Sequence, residues 1–202
     1  VITETSKFYC SHIYRQFTDT TFKCLGSHGW IDVKNALNQS CNIYFYETGR
    51  LLGINRMNDY CTRFGLGQKT GVEINESSGV LAGIAYREAH GGTWYPGDTV
   101  QAAIGQSDNL FTPIQLCSYV STIANGGTRY RAHFVKSVKS SDYSETLLSN
   151  DGVVLNETGV SQNSIRIVKE GMEMLGARLP AFKSLPVKVA AKTGTAESKA
   201  KV

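Results

Sequence analysis

The stretch Val187-Lys188-Val189-Ala190-Ala191-Lys192-Thr193-Gly194-Thr195-Ala196-Glu197 changes character half-way along. Val187 and Val189, followed by two alanines, have the period of a strand with one buried face. The next four residues set an ammonium, two hydroxyls and a backbone without a Cβ side by side. Strand alternation predicts Lys192 and Gly194 on one face, Thr193 and Thr195 on the other. Gly194 would let a ligand approach the main chain closely. Such an edge suits a carboxylate, held by hydroxyls, and an acyl oxyanion, held by backbone N–H groups. A strand end with a turn glycine explains the same letters, so the rest of the chain must supply the partners.

The composition sets the frame for that search. The 202 residues are enough for one domain with a substantial core. Hydrophobic residues make up 41% and charged residues 19%, which excludes a disordered chain. The net charge of +4 comes without a basic cluster or basic helix, so no nucleic-acid partner is expected. No apolar run approaches the length of a membrane span. The sequence opens at Val1 without a signal peptide and stops five residues after Glu197, which reads as a piece of something longer. Of the five cysteines, Cys10, Cys24, Cys41, Cys61 and Cys117, none forms a C-x-x-C pair, so neither a zinc site nor any cofactor is expected. Cys10 and Cys24 either bridge a surface loop in an oxidising compartment or remain as two thiols.

Residues 1–31 carry aromatic positions without a helical period and read as an irregular segment ending at the turn Ser27-His28-Gly29. Asp32 is the predicted N-cap of a short helix with Val33, Ala36 and Leu37 on its apolar face. A second helix, with Tyr44, Phe45, Thr48, Leu51 and Leu52, ends at Gly53. Asn55 is read as the cap of a third, lined by Met57, Tyr60, Cys61 and Phe64 and closed by Gly65. Gly71-Val72-Glu73-Ile74 reads as a short strand. Residues 75–100 show little period beyond an ordered turn at Trp94-Tyr95-Pro96-Gly97. Thr112-Pro113 opens the clearest helix, with Ile114, Leu116, Cys117, Val120, Ile123 and Ala124 as its apolar face. A strand near 129–138 and a polar stretch to about 160 follow. A helix capped by Ser161 or Asn163 then runs to Gly176 and Pro180.

A serine acyl-transfer site needs a nucleophile, a proton carrier and an oxyanion hole. Ser-x-Asn, one form of the second element, occurs at Ser40-Cys41-Asn42, Ser107-Asp108-Asn109 and Ser161-Gln162-Asn163. Chance alone supplies about one match in a chain this rich in Ser and Asn, so context must choose. Ser161 and Asn163 are explained as a helix cap. Ser107 lies in a loop leading to the Thr112 cap and needs no catalytic role. Ser40 and Asn42 sit where one helix stops and the next starts, where a hydroxyl and an amide can project into a groove. Ser40 is the choice, with Ser107 as its rival.

Seven blocks now stand in order. They are Ser40-Cys41-Asn42-Ile43-Tyr44-Phe45-Tyr46, Phe64-Gly65-Leu66-Gly67, Trp94-Tyr95-Pro96-Gly97-Asp98, Ile104-Gly105-Gln106, Thr112-Pro113-Ile114-Gln115-Leu116, Ile123-Ala124-Asn125-Gly126-Gly127 and Lys192-Thr193-Gly194-Thr195-Ala196-Glu197. Together, over residues from about 28 to 197, they resemble the transpeptidase domain of class B penicillin-binding proteins, most of all the elongation type. The resemblance implies an α+β, β-lactamase/transpeptidase-like fold, incomplete here, with a helical subdomain and an antiparallel sheet. It implies that Ser40, beside Lys192, passes a proton between nucleophile and leaving group. It implies that Asn42 holds the amide of the stem peptide and that Thr193 and Thr195 bind its terminal carboxylate. The Thr195 N–H, with Gly194 leaving the approach open, would form half of the oxyanion hole. The implied partners are peptidoglycan stem peptides ending in D-Ala-D-Ala, β-lactam antibiotics and cell-wall elongation proteins. The implied place is the outer face of the cytoplasmic membrane, reached by an N-terminal anchor outside this chain.

One departure from the pattern is large. No Ser-x-x-Lys precedes Ser40: Ser6, Ser11 and Ser27 lack the lysine, Thr20-x-x-Lys23 has the wrong residue type, and Ser198-x-x-Lys201 follows the Lys-Thr-Gly stretch. Residues 1–202 are therefore read as a partial domain, its nucleophile upstream and its last strands downstream, and inactive alone. His12, His28, His90 and His133 receive no catalytic role, and His28 and His90 read as turn residues. Two rivals remain. A β-lactamase or D,D-carboxypeptidase would hand the acyl group to water, and a non-catalytic module would only bind cell-wall partners.

Overall fold

The computed structural model describes residues 2–195, so Ala196, Glu197 and the Ser198-x-x-Lys201 match lie outside the described residues. The chain forms two compact units. Unit 1 takes the chain up to Met57, Ala82–Asn109 and the part from Ser161 onward; unit 2 takes Asn58–Leu81 and Leu110–Val160.

Unit 1 opens with four short strands where the sequence suggested irregular chain: β1 (Phe8–Cys10), β2 (Ile13–Tyr14), β3 (Phe22–Lys23) and β4 (Gly29–Ile31). β1 pairs antiparallel with β4 and β2 with β3. Strands of two or three residues carry too few alternations to show a period, which is why they were invisible. Asp32 caps α1 (Val33–Gln39), its carboxylate accepting from the Asn35 N–H at 3.0 Å. Ser40 closes α1 in the left-handed region, φ 52° and ψ 49°. α2 (Asn42–Leu52) follows at once and ends at Gly53, which has φ 78°. Its Ile43, Tyr44 and Tyr46 are buried and join Cys10, Tyr14, Cys24, Ile31, Ala36, Cys41 and Val100 in one core cluster. The Tyr14 hydroxyl donates to Glu47 at 2.5 Å, and Arg50 braces the same carboxylate.

α3 (Ile54–Arg63) begins one residue before its expected cap, Asn55. Two helices begin in the stretch that showed little period: α4 (Ile84–Ala89) and α5 (Pro96–Ala102). α5 has proline in its first turn, and the Asp98 carboxylate accepts from the Tyr95 N–H at 2.9 Å. The supposed turn at Trp94-Tyr95-Pro96-Gly97 is therefore a helix start.

α7 (Gln162–Arg178) is capped by Ser161, whose hydroxyl accepts from Ser164 N–H at 3.1 Å. It packs along α1. It does not stop at Gly176: that glycine lies inside the helix because the chain returns against it. A Cβ there would lie 1.8 Å from the Val189 carbonyl oxygen. A single 3₁₀ turn, Pro180–Phe182, reverses the chain. Residues 187–195 then run beside α7 without joining a sheet, tied by Ala191 N–H to Met172 O at 3.0 Å. The expected strand is thus an extended segment on a helix, because none of the described strands offers it a ladder partner.

Unit 2 contains α6 (Pro113–Ala124), β5 (Thr128–Tyr130), β6 (Ser137–Lys139), β7 (Thr146–Ser149) and β8 (Val154–Glu157). β5 pairs with β8 and β6 with β7, so the polar stretch before Val160 is two antiparallel pairs. Thr112 and Gln115 form a reciprocal capping box on α6. The buried face of α6 differs from the apolar face expected. Gln115, Thr122 and Ile123 are buried, whereas Leu116, Cys117 and Val120 are exposed. Gln115 is buried at no polar cost, since its amide donates to Gln68 O at 2.6 Å and Ser78 O at 2.8 Å and accepts from Thr112 N–H at 2.9 Å. Gly71–Ile74 forms no strand. The Glu76 carboxylate takes the N–H groups of Thr70 and Gly71, and Glu73 takes those of Phe134 and Val135. Side-chain acceptors there replace the ladder.

Candidate functional site

The α1–α2 junction and the 187–195 segment bring the predicted residues together within unit 1. Lys192 Nζ donates to Ser40 Oγ at 2.8 Å and to the Thr193 carbonyl at 2.8 Å. The hydroxyls of Ser40 and Thr193 lie 3.1 Å apart. Lys192 and Thr193 therefore converge on one serine, contrary to the alternation expected of a strand. An extended segment without a ladder is not held to a period of two, and the lysine stem reaches across. Burial pushes the Lys192 ammonium below the ordinary lysine range, although the residue as a whole keeps much of its surface in water.

The left-handed backbone of Ser40 matters here. Its N–H closes α1 on Ala36 O and Leu37 O, so its hydroxyl is free of capping and turns to Lys192. A non-glycine residue in this region is strained, and the position would suit glycine better. Two positions further, Asn42 Nδ2 donates to Lys23 O at 3.2 Å and Asn42 N–H points at Cys24 Sγ at 3.3 Å.

The rival triplet goes elsewhere. Ser107 Oγ accepts from Arg87 at 3.2 Å, Asp108 pairs with Arg87 at 2.6 Å, and Asn109 bonds the backbone of Ala82, Ala102 and Gln106. It braces a loop. Around Gly194 an added Cβ would meet nothing within 4 Å among the described residues. Thr195 O accepts from Gln106 Nε2 at 3.4 Å.

A second constellation escaped the reading of spacings. Cys10, Cys24, His28 and Cys41 place their ligand atoms within 4.8 Å of one another, and the three cysteines are buried. Cys10 Sγ and Cys24 Sγ lie 3.4 and 3.6 Å from His28 Nδ1, and Cys24 Sγ lies 4.0 Å from Cys41 Sγ. A tetrahedral zinc with Zn–S about 2.3 Å and Zn–N about 2.0–2.1 Å sets its donors about 3.6–3.8 Å apart. The donor set and its spacing fit that ion. Zinc was set aside for want of a C-x-x-C pair, and His28 was read as a turn residue. The fold instead draws one ligand each from β1, the loop after β3, the turn before β4 and the α1–α2 junction. All four thiol and imidazole side chains are unbridged, so Cys10 and Cys24 form no disulfide. Within the cluster the Cys24 thiol is held low, near 4, first by the Cys41 S–H and then by backbone N–H groups. Cys41 is pushed up by the same contact and by burial.

A Lys-Thr-Gly-Thr segment thus brings its lysine to a serine between two helices, as the order of the sequence blocks leads one to expect of a transpeptidase-type domain. The whole chain, residues 1–202, matches the penicillin binding protein transpeptidase domain, and it belongs to that family. It is 28% identical over 197 residues to the peptidoglycan D,D-transpeptidase MrdA of Acinetobacter baumannii, covering 94% of this chain and 28% of that protein. The chain thus spans little more than a quarter of that relative's length. The structure resembles PBP2 of Pseudomonas aeruginosa in complex with WCK 5153, at a TM-score of 0.81 and 25% identity, over 96% of this chain and 45% of that one. It also resembles a component of a peptidoglycan synthase complex that coordinates polymerization and crosslinking. There the TM-score is 0.82 and the identity 28%, over 99% of this chain and 34% of the other.

Proposed function

We propose that the protein containing this chain is a peptidoglycan D,D-transpeptidase that cross-links stem peptides through a serine acyl-enzyme and is acylated by β-lactams. The observation that carries this reading is the Lys192–Ser40–Thr193 contact, with Nζ–Oγ at 2.8 Å and Oγ–Oγ1 at 3.1 Å. A nucleophilic serine from outside residues 1–202 attacks the penultimate D-Ala carbonyl of one stem. Its proton leaves by way of Ser40, polarised by the Lys192 ammonium, to the nitrogen of the departing D-Ala. Thr193 and Thr195 hold the terminal carboxylate, Asn42 holds the stem amide, and the Thr195 N–H faces the oxyanion. The acceptor amine of a second stem then releases the serine, and the cross-link forms. The protein works on the outer face of the cytoplasmic membrane, held by an anchor beyond this chain and beside cell-wall elongation proteins. No described helix is long and apolar enough to be that anchor. Residues 1–202 form part of one such domain. The test uses the full-length protein with a fluorescent penicillin and a donor–acceptor pair of stem peptides. Cross-linked product supports the reading. Hydrolysed donor alone favours a carboxypeptidase or β-lactamase, and no labelling at all favours a binding module.

The Cys10, Cys24, His28 and Cys41 distances favour a second reading: this cluster holds a structural zinc ion. A closed site with four protein ligands leaves no open position for chemistry, so the ion's work there is folding. Purified protein should carry about one zinc per chain, and chelation should lower its melting temperature. Metal-free protein whose melting is indifferent to chelator would end that reading.

A further inference from the structure

We propose that Gln106 is a positioning residue for the oxyanion hole, through a hydrogen bond from its side-chain amide to the carbonyl of Thr195. The inference rests on the transpeptidase reading above, in which the Thr195 N–H faces the oxyanion.

Residues 193–195 need such a device. They belong to no described sheet, and Ala191 is their nearest backbone tie to α7. Beyond it, Ser40 touches the segment at Thr193 and Gln106 touches it at Thr195, with Nε2 to O at 3.4 Å. The N–H and the carbonyl of Thr195 share one Cα. A donor that fixes the carbonyl direction therefore narrows the directions left to the N–H. An oxyanion donor works only when it is aimed before charge develops.

The loop carrying Gln106 is built to hold one side chain still. Its own N–H bonds Gln101 O at 3.0 Å, closing the end of α5. Its carbonyl accepts from Asn109 Nδ2 at 3.1 Å. Asn109 spends its other polar atoms on Ala102 O and Ala82 N–H. Arg87 clamps the loop from outside, through Asp108 and the Ser107 hydroxyl. Gly105 and Ser107, with φ of 83° and 64°, give the loop turns that flank Gln106 on both sides. The left-handed turn at Ser107 and the three bonds of Asn109 hold the backbone from which the Gln106 amide projects.

The experiment uses the full-length protein and compares Gln106→Ala and Gln106→Glu with the parent. The glutamate keeps the volume and removes the donor. Acylation by a chromogenic penicillin is resolved into the binding constant and the acylation step, per site titrated by excess β-lactam, so unfolded protein drops out. Both variants should slow the acylation step by about tenfold or more, up to about 10²-fold, with the binding constant changed far less. Affinity for a boronic acid, whose tetrahedral adduct places an oxygen in the same hole, should fall by a similar factor. A parental acylation rate per titrated site in either variant overturns the inference while leaving the transpeptidase reading intact. So does a loss confined to the binding constant. If the parent itself takes no penicillin, the transpeptidase reading fails first.

Discussion

Ser40 is asked to do two incompatible things. Its backbone sits where glycine is preferred, and its hydroxyl meets Lys192 and Thr193. Ser40→Gly should therefore stabilise the full-length protein, by about 1 kcal/mol of relieved left-handed strain, while slowing acylation through loss of the proposed proton relay. Ser40→Ala keeps the strain and should lower the acylation rate by about 10²–10⁴ with little change in melting temperature. Ser107→Ala should acylate nearly as the parent does, because Arg87 keeps Asp98 and Asp108 without it. Acylation rates measured beside melting curves separate these outcomes, and a slow Ser107→Ala with a normal Ser40→Ala would move the motif to Ser107-Asp108-Asn109. Lys192 adds a pH dependence. In the proposed mechanism its ammonium is the working form, and burial lowers its pKa, so acylation should fall on the alkaline side at a pH below that of ordinary lysine ionisation. The linked stability has the opposite sign. The folded state prefers the neutral amine, so stability gains as pH rises between the folded and unfolded pKa values. A pH–rate profile whose alkaline limb survives in Lys192→Arg would assign that limb to another group.

At the scale of the element, helices with chemical punctuation were legible and those without it were not. Asp32, Gly53, Thr112-Pro113 and Ser161 mark ends that the structure shares. α5 carried the same signs, proline then Asp98 at the third position, but only seven residues of helix follow, too few for a period to show. Gly176 was misread because a glycine serves a stop and a close approach equally well. Its partner, the Val189 carbonyl, is thirteen residues away in sequence, beyond any local pattern. Gly176→Ala should force that segment off α7, costing about 1–3 kcal/mol as an overpacked contact. Because Ala191 and Lys192 lie on the same segment, its acylation rate should fall as well. A variant with an unchanged melting temperature would mean that the segment is not seated on α7 in solution.

Across the whole molecule, what was legible was the order of short motifs, and what was not was their meeting. Ser40 and Lys192 are 152 residues apart and share a hydrogen bond. Their pairing could be read only because both motifs resemble a family in which they meet. The Cys10, Cys24, His28 and Cys41 cluster had no such guide in its spacing, since each ligand comes from a different element. The same dependence on distant chain leads to the last prediction. Ser40, the serine bonded to Lys192, sits at the C-cap of α1, and its neighbour Asn42 opens α2. In the mechanism proposed above, Ser40 relays a proton and does not carry the acyl group. Before it in sequence, none of Ser6, Ser11 and Ser27 has a lysine three residues on. A polypeptide of these 202 residues should therefore form no covalent ester with a labelled penicillin. Adding an upstream Ser-x-x-Lys segment by expressing the full-length protein should restore labelling, at that new serine. Mass spectrometry of the labelled peptide decides the matter. An acyl group on Ser40 or on any other serine of residues 1–202 would make this chain carry its own nucleophile and would overturn the division of labour argued here.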